Sequence, residues 1–146
     1  MVNKANVLRV ADAIENSKLV KRDIGFNMAY VAERSGVYAK DKTGHHCGTV
    51  ACIAGYAFAI KHPRTSAAKI RAIEERTGGD ADDDPIVEEA RDFLGITPDE
   101  SEALFFPDAY DPDLILHNLP AEQAVAVLRH LAETGEVDWS VKPAGK

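Results

Sequence analysis

HHCGTVACIAGYAFAIK, residues 45–61, decides how the rest of the chain is read. From Val50 to Ile60 every residue is apolar or small. On a helical projection Val50, Ile53, Ala54, Ala57, Phe58 and Ile60 cover nearly the whole circumference, and a helix apolar on all sides is a buried one. Thr49 reads as its N-cap and Pro63 lies beyond its end, so a central helix is expected near 49–61. Ala51, Gly55 and Ala59 make an i, i+4, i+8 row without bulk. There another helix, one of the apolar C-terminal ones, is expected to approach closely. Cys52 then reads as a small core residue.

Working outward, helical periodicity recurs along the chain. Val7, Val10, Ala11 and Ile14 fall on one stripe, with Asn3 or Asn6 available to start the turn. Met28, Val31 and Ala32 suggest a short helix ending near Gly36. Ser66 caps a helix with Ile70 and Ile73 inward and Gly78-Gly79 at its exit. Asp84-Pro85 starts another, which carries Ile86, Val87, Ala90, Phe93 and Leu94 and closes at Gly95. Thr97-Pro98-Asp99-Glu100 is a capping box. The last helix begins near Pro120, presents Ala124, Val127, Leu128 and Leu131, and ends at Gly135. Strand signals are short and isolated: GVYA (36–39), DLILH (113–117) and EVDW (136–139). The expected fold is all-α, or nearly so. It is a single domain over 1–146, with about six or seven short helices around the central one. Residues 140–146 read as a disordered tail.

The formal charge of −7 conceals a segregation. Residues 1–79 carry thirteen Lys/Arg against seven Asp/Glu, whereas 80–113 carry thirteen acids against Arg91 alone. Such a balance argues against general binding to phosphate backbones. The segment KHPRTSAAKIR (61–71) is locally basic: it offers a place for a phosphate or an acidic partner, but reads first as a solvated helix approach facing the acidic middle of the same molecule. No apolar run is long enough to span a membrane, and Arg9, Asp12 and Glu15 interrupt the start as no signal peptide allows. Two cysteines in such a chain suit a reducing cytoplasm.

Chemistry concentrates around Cys47. With Thr49 as cap, the unpaired amides of the helix start point towards its sulfur, and His45 or His46 stands beside it. Cys-Gly ahead of a buried helix resembles, over about ten residues, the nucleophile region of papain-like peptidases that process leader peptides. That resemblance implies a cysteine hydrolase with Cys47 as nucleophile, and a histidine and an Asp or Asn from a later sheet. The downstream candidates are His117-Asn118 and His130. His117 lies in an apolar run, and His130 falls on the polar side of the last helix. A structural zinc site is a further alternative, with His45, His46, Cys47, Cys52 and His62 as ligand types. Against it, Cys-x4-Cys is not the tight zinc knuckle, and no second ligand pair follows. DADDDP (80–85) is no EF-hand, because Pro85 and Arg91 stand where glycine and glutamate are needed. Phosphate loops, nucleophile elbows and His-Glu-x-x-His are absent from the sequence. No cofactor is implied.

CGTVACIAGYA, ARDFLGITPDESEALFFP and PAEQAVAVLRHLAETGEVDW together resemble a family of small proteins of bacterial and phage genomes without an assigned activity. The likeness spans most of 45–139, and the first motif is its most specific part. It implies a small helical protein, a mobile-element origin and no catalytic residue to carry over. The expected function is therefore a non-enzymatic interaction module. Its acidic segment 80–113, with Asp80, Asp82, Asp83, Asp84, Glu88 and Glu89 foremost, would attract a partner with a basic protein surface.

Overall fold

In the computed structural model, residues 2–16, 24–26, 33–34, 49–77, 85–107, 119 and 121–141 are described. Among them are six helices and three short strands, so the protein is almost wholly helical. Helix α1, Lys4–Asn16, starts where Asn3 Oδ1 accepts from the Asn6 amide at 3.1 Å. Its stripe of Val7, Val10, Ala11, Ala13 and Ile14 is buried. Strands β1 (Ile24–Phe26), β2 (Glu33–Arg34) and β3 (Thr49–Ala51) form one sheet in the order β1-β3-β2. β3 pairs parallel to β1, with Ile24 opposite Thr49, and antiparallel to β2, with Glu33 opposite Val50.

β3 leads directly into α2, Ile53–Lys61, whose residues from Ile53 to Ala59 are all buried. The all-round apolar character of this stretch does place it in the core. Its start differs from the sequence expectation. Thr49 is not an N-cap but the first residue of a strand, and Cys52 occupies the N-cap position without a side-chain cap bond. Thr-Val-Ala is short, apolar and β-branched at two positions. Periodicity does not separate such a run from the first turn of a buried helix. Ala51 consequently leaves the small-residue row, and Gly55 and Ala59 remain as its helical part.

Helix α3, Ala67–Thr77, is capped by Ser66, whose Oγ accepts from the Lys69 amide at 3.2 Å. Helix α4, Pro85–Leu94, keeps its expected bounds. Gly95, at φ 67, ends it in a Schellman turn: Ile96 N–H donates to the Arg91 carbonyl at 3.2 Å and Gly95 N–H to Asp92 at 3.3 Å. Helix α5, Pro98–Phe105, has the full capping box, with Thr97 Oγ1 and Glu100 Oε1 each accepting the other's amide. Helix α6, Ala121–Thr134, ends at Gly135, at φ 79.

α1 packs chiefly on α6, and α2 chiefly on α4, with α1 and α5 as its further helical neighbours. The close neighbour of α2 is thus α4 more than α6. The buried side chains of all six helices form one cluster. Polar ties secure its edges. Asn3 N–H and Asn6 Nδ2 donate to the Leu94 and Phe93 carbonyls, both at 2.8 Å, and Arg9 lies over the Phe93 ring. Arg129 of α6 bonds Glu15 of α1 at 2.7 Å, which pushes its guanidinium pKa further up.

The strand signal near the C-terminal end is not realised. EVDW (136–139) forms no strand but part of a strap across α5 and α6. Trp139 Nε1 donates to the Ala103 carbonyl at 2.9 Å, and Gln123 Nε2 donates to the carbonyls of Trp139 at 3.0 Å and Val141 at 2.6 Å. These bonds tie the segment that follows α6 back to α5 and α6. The helix expected to end near Gly36 is interrupted as well, because Glu33–Arg34 pairs with β3. Residues 27–32, GVYA and DLILH lie outside the described residues.

Candidate functional site

The two ends of α2 separate the side chains that the sequence groups as metal ligands. Cys52, at the N-terminal end, is only 1% exposed and packed within the core. His62 is the C-cap residue at the other end. Ten residues of helical rise are about 15 Å, too far for one metal ion to take both. His45, His46, Cys47 and His117 lie outside the described residues. Since the helix begins at Ile53 and not Val50, its amides converge near Cys52, and sequence proximity no longer assigns the helix dipole to Cys47. Among the described residues no three of His, Cys, Asp and Glu come together as a metal set. His130, on α6, is half-buried.

His62 instead joins α2 to α4. Its Nε2 donates to Glu89 Oε1 at 2.9 Å, its ring lies 4.6 Å from that of Phe58, and Lys61 Nζ reaches the same carboxylate oxygen at 3.4 Å. Partial burial pushes the Glu89 carboxyl up, but hydrogen bonds and charge from His62, then Lys61, outweigh it and hold the carboxyl below its ordinary value. A depressed folded-state pKa gives stability that is present above the unfolded value and lost as pH falls through the folded one. Glu89→Gln is therefore expected to cost roughly 0.2–1 kcal/mol at neutral pH, the range for solvent-screened pairs. Denaturant unfolding at a series of pH values should show the gap to wild type closing below the ordinary 4.5. A gap that stays unchanged however far the pH falls below that value would remove the ion pairs as its cause.

Six of the thirteen acids of segment 80–113 are described, and they divide by role. Glu89 faces Lys61 and His62, and Glu100 closes the α5 capping box. Glu88 and Asp92, one turn apart on α4, and Asp99 and Glu102, one turn apart on α5, are exposed. None of these four has a cation within salt-bridge distance among the described residues. α4 and α5 are consecutive, touch each other and are anchored in the core by Ile86, Ala90, Leu94, Leu104 and Phe105. Four carboxylates without a cationic partner among the described residues thus sit on two helices packed into the core.

Of the acids foremost in the sequence reading, Glu88 has no cationic partner among the described residues and Glu89 is internally paired. Asp80, Asp82, Asp83 and Asp84 lie outside the described residues. Asp92, Asp99 and Glu102 were legible as exposed acids, since the i, i+4 spacing of Glu88 and Asp92 puts them opposite the apolar stripe of α4. No helix among the described residues is long and apolar enough to cross a membrane. The chain matches no protein-family model, no curated protein and no solved structure.

Proposed function

We propose that the protein is a non-enzymatic helical interaction module whose acidic segment 80–113 meets a basic protein surface. The observation that carries this reading is the set of four exposed carboxylates, Glu88, Asp92, Asp99 and Glu102, without a cationic partner among the described residues, on two adjoining helices fixed to the core. Fixed charges of one sign raise the encounter rate with an opposite surface and orient it. The attraction fades as salt shortens the Debye length from about 10 Å at 0.1 M to about 3 Å at 1 M. Segment charge supports the same reading, because thirteen acids stand against one arginine there. The two cysteines suit a reducing cytoplasm, and the resemblance to small bacterial and phage proteins suggests a host component as the partner.

A lysine-rich helical peptide serves as the probe. Two variants of equal net charge are compared: one with three of the four carboxylates, Glu88, Asp92 and Glu102, changed to Gln, the other with Glu122, Glu133 and Glu136 changed to Gln. All six side chains are exposed. Binding should fall with salt and weaken about tenfold in the first variant only, since three screened pairs of some 0.5 kcal/mol are removed. Equal losses in both variants would mean that net charge alone acts. Binding insensitive to salt would contradict the proposal outright.

A further inference from the structure

The basic counterpart of the acidic helices lies along α3. A groove of about 650 Å³ runs beside this helix, lined by Thr65, Lys69, Ala72, Ile73 and Arg76. Lys69, Ala72 and Arg76 are exposed, Ile73 is half-buried against the core, and Ile70 on the inner side is 1% exposed. Neither Lys69 nor Arg76 has a carboxylate within salt-bridge distance among the described residues. In a chain with seven more acids than bases, two exposed cations without a carboxylate partner among the described residues, flanking an apolar floor, are a distinct surface.

We infer that this groove docks an acidic amphipathic helix of a partner protein, its carboxylates seven residues apart and an apolar side chain between them. The spacing argues for a helix. Lys69 and Arg76 are two turns apart, about 10.5 Å along the axis, and a facing helix repeats its own side chains at that same seven-residue interval. α3 from Ala67 to Thr77 is about 15 Å long, room for roughly three turns of a facing helix. Ala72 lacks the bulk to hold a partner off, and Ile73 offers the apolar contact between the charges. A small anion satisfies one cation and leaves the isoleucine uncovered. Nucleic acid meets repulsion from the rest of the molecule. This surface is independent of the acidic one, and its sign selects the opposite kind of partner.

The probe is a synthetic helical peptide of about three heptads, with Glu at positions i and i+7 and Leu at i+3 and i+4. Its control has the same composition with the two Glu moved to i+2 and i+5. Binding to the full chain is followed by fluorescence anisotropy. The first peptide should bind in a salt-dependent manner, about fivefold more tightly than the control, since two screened pairs of some 0.5 kcal/mol are at stake. Lys69→Glu with Arg76→Glu should remove that preference, whereas Lys69→Arg with Arg76→Lys should keep it. The acidic-surface variants Glu88→Gln, Asp92→Gln and Glu102→Gln should leave it intact, so the two surfaces fail or succeed separately. Absence of binding, or equal binding of both peptides, overturns the inference. So does salt-sensitive self-association that the Lys69→Glu and Arg76→Glu changes abolish, because the occupant is then a second copy of the chain.

Discussion

Phe105→Ala is expected to lower the free energy of unfolding by roughly 3–5 kcal/mol, the largest single-site effect considered for this protein. Phe105 is fully buried at the C-terminal end of α5, among the largest side chains with no exposure. Truncation removes the transfer energy of the ring and leaves a cavity that the surrounding helices fill only in part. α5 touches both α2 and α4, and the Trp139 indole is bonded to Ala103 two residues earlier, so little local freedom remains for collapse. Whole domains are stable by about 5–15 kcal/mol, so the loss is a large fraction of the total. Trp139 is the only tryptophan and is half-buried, and its fluorescence reports the transition directly. A lower denaturant midpoint with an unchanged slope is expected. A change below about 0.5 kcal/mol would mean the ring is effectively at the surface.

Gly55→Leu carries the next largest effect, a loss of roughly 1–3 kcal/mol or more from overpacking. Gly55 is buried in a helix whose residues from Ile53 to Ala59 all avoid solvent, and glycine there costs up to about 1 kcal/mol against alanine. Such a cost needs a packing reason. The helices around α2, chiefly α4, leave no outer side for a leucine to turn towards. Gly55→Ala has opposed contributions, better propensity against a tighter fit, and its sign reports the space available. Unfolding of Gly55→Leu at the wild-type midpoint would put α2 on the surface.

The parts of this fold that were legible in the sequence are those with strong local chemistry. Pro85 and Gly95 bracket α4, Thr97 with Glu100 opens α5, and Gly135 closes α6, because caps and left-handed exits depend on a few adjacent residues. The sheet was not legible. Strands of two or three residues have no period to read, and the register that joins Ile24 to Thr49 is made by distant partners. Thr49–Ala51 runs into α2 without a polar break, so the strand was absorbed into the expected helix.

The acidic surface shows a similar division. Its sign was plain from composition, but which acids are free depends on neighbours outside the segment. Glu88 and Glu89 are adjacent in sequence, yet only Glu89 lies where the C-terminal end of α2 brings Lys61 and His62. Trp139 likewise sits in a run that reads as a strand. Its contacts with Ala103, and those of Gln123 with the chain beyond, are set by tertiary packing.

The central claim is that α2 is the core around which the charged helices are fixed. Native-state hydrogen exchange under increasing denaturant tests it most directly. Amides of α2 such as Tyr56, bonded to the Cys52 carbonyl at 2.9 Å, should exchange only when the whole protein unfolds, with an opening free energy equal to the global value. The exposed N-terminal turn of α3 should open at lower cost. Exchange of the α2 amides through a local opening, while α1 and α6 stay protected, would contradict the account.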